Sequence, residues 1–318
     1  MNAEQIAEKL AAVHAAVAAR VIGQDDVIAQ ALVAFLARGH ALLEGVPGTA
    51  KTLLIRILAS ALDARFARIQ FTPDLMPADI TGTSILRDGG RTAEFRAGPI
   101  FTDLLLADEI NRAPAKTQAA LLEAMQERQV TNDGVSRPLG ELFTVYATQN
   151  PVEYEGTYPL PEAQLDRFLL KIRVEYPPAQ AELVMLENYS KGFDAERPDV
   201  VLSEPVLDGE SCRQVRAAVD AVRVEPEVRE YIAAIVRATR EDPSLTLGGS
   251  PRASVALFRA ARAVALLAGR DFATPDDVKS SAPAVLRHRV LVAPELEVEG
   301  RTSDDVLDVL LARVPAPQ

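Results

Sequence analysis

The segment Gly45-Val-Pro-Gly-Thr-Ala-Lys-Thr52 constrains this chain more than any other, because an apolar tetrapeptide, Ala41-Leu-Leu-Glu44, runs into it and a helix-forming run, Leu53-Leu-Ile-Arg-Ile-Leu-Ala59, leads out. Strand, glycine-bearing loop and helix in that order suit a phosphate loop, whose backbone N–H groups must converge on phosphate oxygens at a helix N-terminus. Gly45 and Gly48 supply the backbone freedom, Lys51 an amine for the terminal phosphates, and Thr52 a hydroxyl for Mg2+. Val46, Pro47, Thr49, Ala50 and Leu53 complete the expected binding segment. The general pattern writes a second glycine where Ala50 stands, so Ala50 is expected at negative φ with its Cβ turned from the phosphates. Read alone, the loop could also be an ordinary strand-to-helix turn.

Two later segments end in the polar residues that a phosphate loop needs as partners. In Phe101-Thr-Asp-Leu-Leu-Leu-Ala-Asp-Glu109 an apolar strand closes on two carboxylates, placing them at the sheet edge where phosphate loops open. Asp108 is expected to hold Mg2+ through water, and Glu109 to polarise the attacking water. An isolated Asp-Glu pair often only caps a strand; here a helical run follows it. The strand Phe143-Thr-Val-Tyr-Ala-Thr-Gln-Asn150 ends on an amide able to hydrogen-bond the water or the γ-phosphate. Asn150 is therefore the candidate sensor, although an asparagine before proline is also a common turn residue.

Around these motifs the chain is organised in two parts. Ile6, Leu10, Val13 and Val17 recur at helical steps, and strand-like runs at 66–71, 104–107, 143–148 and 168–174 alternate with helical ones such as 116–127. Such alternation predicts an α/β fold, a parallel sheet with helices on both faces. Asp88-Gly-Gly90 and Asn132-Asp-Gly134 are hairpin signals, which mark insertions at about 82–97 and 129–143. Pro177-Pro178 closes the alternating region, and beyond it the pattern is helical, with Thr274-Pro-Asp-Asp277 reading as a capped helix start. The expected domains are an α/β core over 1–176 and a small all-α lid over 177–318.

Composition narrows the setting. With 318 residues, 48% hydrophobic and 25% charged, the chain has room for two modest cores rather than one. A net charge of −11 works against phosphate-backbone binding, so nucleic acid is disfavoured as a partner. One cysteine, Cys212, and scattered His14, His40 and His288 offer neither an internal disulfide nor zinc-like spacing. No apolar run approaches the roughly 20 residues of a membrane span, and the acidic N-terminus lacks signal-peptide character. A cytoplasmic location is expected.

Taken together, Gly45-Val-Pro-Gly-Thr-Ala-Lys-Thr52, Leu106-Ala-Asp-Glu-Ile-Asn-Arg-Ala-Pro114, Ala147-Thr-Gln-Asn-Pro151 and Tyr158-Pro-Leu-Pro-Glu-Ala-Gln-Leu-Asp-Arg-Phe168 resemble the MoxR family of AAA+ ATPases, in which alanine is usual at the position of Ala50. The likeness extends to Gly249-Ser-Pro-Arg252 and to Pro275-Asp-Asp277, and the two hairpins resemble the helix-2 and pre-sensor insertions of that clade. It implies an Mg2+-dependent ATPase working as a homo-oligomeric ring, commonly a hexamer. Arg167 matches the arginine finger that reaches a neighbour's γ-phosphate, and Arg252 the sensor that projects from the lid onto the nucleotide of its own subunit. Val21, Ile22 and Gly23 match the stretch beside adenine, and Arg128 is a further candidate for a contact in trans. A partner with a von Willebrand factor A domain and a remodelled or metal-loaded protein client are also implied. A magnesium-chelatase-like ATPase subunit and a nucleic-acid motor are the alternatives that share these insertions.

Overall fold

The computed structural model describes residues 2–87, 92–151, 157–197 and 200–317. Helix α1 (Ala3–Ala18) starts at a capping box between Asn2 and Gln5 and buries Ile6, Leu10, Val13 and Val17. Helix α2 (Asp25–Leu36) leads into β1 (Ala41–Glu44), and α3 (Lys51–Ala61) begins at the loop's own lysine. There follow β2 (Phe66–Gln70), the short α4 (Pro77–Thr81) and an antiparallel pair, β3 (Gly82–Arg87) with β4 (Thr92–Ala97). Strand β5 (Leu104–Asp108), α5 (Ala115–Glu127), a second antiparallel pair of β6 (Gln129–Asn132) and β7 (Val135–Pro138), β8 (Thr144–Gln149), α6 (Glu162–Leu165) and β9 (Leu170–Arg173) complete this part. Asp133 and Gly134 both carry positive φ, as a two-residue hairpin turn requires. The turn expected at Asp88-Gly-Gly90 lies outside the described residues.

The five long-range strands pair in parallel in the order β2-β5-β8-β1-β9. Alternate residues serve opposite faces: Leu104, Leu106 and Tyr146 join the cluster beneath α1, α2 and α3, while Leu105, Ala107, Val145 and Ala147 join the one beneath α5. A sheet buried on both faces explains why these strands read as unbroken apolar runs. Because β1, β5 and β8 run the same way, the loop after Glu44, the pair Asp108-Glu109 and Asn150 all emerge at one edge.

Beyond Pro177-Pro178 lie α7 (Ala179–Ser190), α8 (Gly209–Ala221), α9 (Pro226–Glu241), β10 (Leu245–Leu247), α10 (Pro251–Leu267), α11 (Pro275–Leu286), β11 (Leu291–Val292), α12 (Pro294–Val298) and α13 (Ser303–Arg313). The lid expected as all-α therefore carries one short antiparallel pair, β10 with β11. Two extended connectors running side by side satisfy each other's backbone groups there. Among the described residues two apolar clusters form, one on each face of the sheet, and α8, α9, α10 and α11 share theirs with α1, α2 and α3.

The lid is fastened to the edge where the strands begin. Arg259 donates to Ala37 O, and Arg216 donates to Glu141 O at 2.7 Å, Leu142 O at 3.3 Å and Thr144 Oγ1 at 2.8 Å. Arg289 donates to Leu169 O at 3.1 Å and Phe168 O at 2.6 Å. These acceptors stand at or just before the starts of β1, β8 and β9. Arg216 is fully buried, its guanidinium 4.0 Å from the centre of the Phe35 ring, and burial lowers its pKa to about 9.

His40 ties the same edge together. Its Nδ1 accepts from Val145 N–H at 2.9 Å, which leaves Nε2–H to donate to Met125 O at 3.2 Å, so the ring must be neutral. Burial first, then the nearby Arg128, lowers its pKa from 6.5 to about 3. A folded-state pKa below the unfolded value means that the unfolded chain binds the proton more readily as pH falls through 6.5, and that stability then declines toward pH 3. Denaturant titration at pH 7 and pH 5 is expected to show a loss of about 2 kcal/mol attributable to this ring. His40→Gln, less stable at neutral pH, should lose much of the slope; an unchanged slope contradicts the assignment.

Candidate active site

At the edge where the strands end, a cavity of about 500 Å³ opens over the loop. Pro47, Gly48, Thr49, Ala50, Lys51, Thr52, Leu53, Asp108, Glu109, Asn150, Val21 and Ile22 all line it. Gly23, Gly45 and Val46 do not. Gly23, at φ +75°, lets α7 pass: a Cβ there would lie 2.6 Å from Ala181 Cβ. Gly45 and Val46 meet the site only through their carbonyls, to which Lys51 Nζ donates at 2.8 and 2.6 Å. Burial lowers the Lys51 pKa, and the charges of Asp108 and Glu109 oppose that shift.

The expectation for Ala50 is overturned. It adopts φ 60°, ψ 20°, the left-handed conformation, directly before the first residue of α3. The turn from loop to helix imposes that hand despite the methyl group; Gly48 is left-handed as well, at φ 86°. Left-handed residues of this kind occur in backbone nests whose N–H groups converge on anions. A non-glycine residue there is strained by roughly 1–2 kcal/mol. Ala50→Gly is therefore expected to stabilise the fold by about 1 kcal/mol, seen as a higher denaturation midpoint; a lower midpoint contradicts the strain.

The two carboxylates are held by neighbours that sequence reasoning missed. Thr148 Oγ1 donates to Asp108 Oδ1 at 2.5 Å and accepts from Glu109 N–H at 2.8 Å. Arg68 donates to Asp108 Oδ2 at 2.6 Å, and Gln70 to Glu109 Oε2 at 2.6 Å. Arg112 donates to the same Glu109 oxygen at 3.0 Å. Glu109 itself is left-handed, φ 55°, a strained conformation of the sort that concentrates at functional positions. Thr148 stands two residues before Asn150 on β8 and was open to detection by strand alternation; Arg68 and Gln70 lie on β2, whose register with β5 no local pattern gives.

Thr52 and Asp108 offer a hydroxyl and a carboxylate, hard oxygen donors of the kind Mg2+ takes, beside a cradle open enough for phosphates. The residues fit both groups. Helix α7 and the segment after it supply one side of the wall, through Met185, Asn188, Tyr189 and Phe193, and Arg20 and Arg56 line the cavity as well.

Arg167 and Arg252 are not in this cavity. Together with Arg38, Arg128, Arg259 and Arg289 they line a second one, of about 370 Å³, beside His40 and Leu169. That cavity stands at the edge where β1 and β9 begin, a strand's length, on the order of 15 Å, from the phosphate loop. The expectation that Arg252 reaches the nucleotide of its own subunit is thus corrected: the lid docks on the edge of strand starts and carries Arg252 with it. Asp166 engages Arg289 at 2.7 Å and Arg252 at 3.9 Å, while Arg167 donates to Leu122 O at 2.9 Å. Burial first, then the charges of Arg259 and Arg38, lowers the pKa of Arg128; burial also lowers that of Arg259, with Asp220 opposing the shift and Arg38 adding to it.

Comparison with known proteins agrees with this architecture. The ATPase family associated with various cellular activities (AAA) matches residues 40–170, and the AAA lid domain matches residues 237–309. YeaC of Bacillus subtilis is 48% identical, over 93% of this chain and 91% of its own length. Chaperone MoxR1 of Mycobacterium tuberculosis is 43% identical, over 94% of this chain and 80% of its own. The crystal structure of a protein assigned as an ATPase from Cytophaga hutchinsonii superposes with a TM-score of 0.89 at 38% identity, covering 99% of this chain and 97% of that one. No helix among the described residues is long and apolar enough to cross a membrane.

Proposed function

This chain belongs to the MoxR family of AAA+ ATPases, and from that premise we propose that it hydrolyses ATP at a site shared between two copies and uses the resulting motion to remodel a protein client. One observation carries the reading: Lys51, Asp108, Glu109 and Asn150 gather at one sheet edge, while Arg167 and Arg252 gather at the other. The first half positions the nucleotide, and the second holds the cations for charge stabilisation; phosphoryl transfer at full rate needs both.

Within one copy, Lys51 binds the terminal phosphates and the loop amides before α3 cradle them. Thr52 and Asp108 hold Mg2+, which supplies charge neutralisation at the phosphate oxygens. Glu109 orients and polarises the attacking water, and Asn150 hydrogen-bonds it or the γ-phosphate. Arg167 and Arg252 of the next copy then stabilise the charge that develops on the transferred group. Val21 and Ile22 lie against the base. The chaperone name of the MoxR1 relative supports a protein client, and the family resemblance adds a partner with a von Willebrand factor A domain, in a ring expected to be hexameric and cytoplasmic.

Phosphate release at graded protein concentrations tests the shared site. Turnover per chain should rise with concentration, require Mg2+, and show no strong stimulation by DNA. Turnover independent of dilution down to a demonstrated monomer would overturn the proposal, and a large DNA stimulation would favour a nucleic-acid motor.

A further inference from the structure

We infer that Arg289 is a positioning residue for the arginine finger: its guanidinium grips the turn that carries Arg167 and, through Asp166, the start of the helix that carries Arg252. The inference rests on the shared site proposed above. Arg167 lies in the turn at 166–169, between the short α6 and β9. A turn has no continuous helix or sheet ladder to occupy its carbonyls, and buried carbonyls need partners. Arg289, just past the end of α11 and almost wholly buried, supplies them. It donates to Asp166 O at 3.2 Å, Phe168 O at 2.6 Å and Leu169 O at 3.1 Å, carbonyls on either side of Arg167. Its Nε donates to Asp166 Oδ1 at 2.7 Å, and a further N–H reaches Val285 O within α11. Every N–H of the guanidinium is thereby engaged.

The same carboxylate reaches the lid. Asp166 Oδ2 accepts from Ser250 Oγ at 3.2 Å and lies 3.9 Å from the Arg252 guanidinium. Ser250 is the N-cap of α10 and accepts from Arg252 N–H at 3.2 Å. One guanidinium therefore holds the backbone around Arg167 directly and the helix start at Arg252 through Asp166. The Arg167 side chain adds its own bond to Leu122 O at 2.9 Å. Fastening the lid does not by itself call for this pattern: Arg216 and Arg259 fasten it at Glu141 O, Leu142 O and Ala37 O, far along the chain from Arg167. Misplacing a group at a reacting centre by about 1 Å costs on the order of 10²-fold in rate, so a loosened turn is felt at the neighbour's phosphates.

Arg289→Lys keeps a charge beside Asp166 but cannot span the carbonyls, because an ammonium lacks the planar fork. The full chain is expected to bind ATP as the parent does and to turn it over about a hundred-fold more slowly, the fall lying in kcat and not in KM. Mixing then shows which half of the site carries the lesion. With Glu109→Gln, Arg289→Lys should recover about a quarter of the parent turnover; with Arg167→Ala it should stay at the level of its parts, since both lesions lie on the arginine-bearing edge. A purely structural role gives a lower unfolding midpoint with turnover within about two-fold of the parent, and that result overturns the inference, as does recovery with Arg167→Ala. Should Arg289→Lys misfold, Asp166→Asn keeps the side-chain shape and removes its charge; a fall of about ten-fold with the same sidedness is expected, and turnover like the parent's overturns the inference. If Glu109→Gln and Arg167→Ala assemble together yet fail to complement each other, the shared site falls, and the role of Arg289 with it; if they complement while Arg289→Lys matches the parent, only the role of Arg289 falls.

Discussion

Glu109→Gln is expected to bind ATP as tightly as the parent and to hydrolyse it roughly 10²–10⁴ times more slowly, the range lost when a positioned general base is removed. The substitution keeps the shape of the side chain, so Arg112 can still donate to its amide oxygen, and the left-handed backbone at φ 55° is undisturbed. What disappears is the negative charge that draws a proton from water. The same charge supports the Lys51 ammonium against burial, so the variant also places a heavier demand on Asp108 to keep that lysine protonated. Phosphate release measured beside nucleotide binding separates the two steps. Turnover within about two-fold of the parent would take the water-polarising role away from Glu109.

Arg167→Ala should be at least as damaging, with a fall of roughly 10³–10⁵ in turnover if its guanidinium serves as an arginine finger. Nucleotide binding by a single copy should not change, because Arg167 stands at the opposite sheet edge from Lys51. Its bond to Leu122 O is a modest structural role, worth about 1 kcal/mol, and the unfolding midpoint reads that cost independently of catalysis. Arg167→Lys keeps a charge but not the planar fork and should recover only a small part of the rate. Loss of nucleotide affinity in the isolated Arg167→Ala chain would place the residue in its own cavity and contradict the geometry.

What could be read without the structure was whatever is contiguous along the chain. The phosphate loop, Asp108 with Glu109, and Asn150 each close an apolar strand, and strands that all run one way bring their ends together. Helix starts were equally plain where a cap fixes them, as Thr274 does for α11. Three things depended on contacts between distant segments and were out of reach. Arg68 and Gln70 gain meaning only from the register that sets Gln70 opposite Asp108. The left-handed turn at Ala50 depends on how α3 must leave the sheet, which residue type alone argued against. The position of Arg252 depends on where the lid docks, and that is decided by buried arginines such as Arg216 and Arg289, whose partners are backbone carbonyls with no sequence signature.

The shared site is tested most directly by mixing two inactive chains, Glu109→Gln and Arg167→Ala. In a ring assembled at random from equal amounts, about one interface in four joins an intact Glu109 to an intact Arg167 from the neighbour. The mixture is therefore expected to recover about a quarter of the parent turnover, although each component alone works roughly a hundred-fold or more below the parent. If the two variants demonstrably assemble together and the mixture stays as inactive as its parts, the nucleotide is not completed by a neighbouring copy.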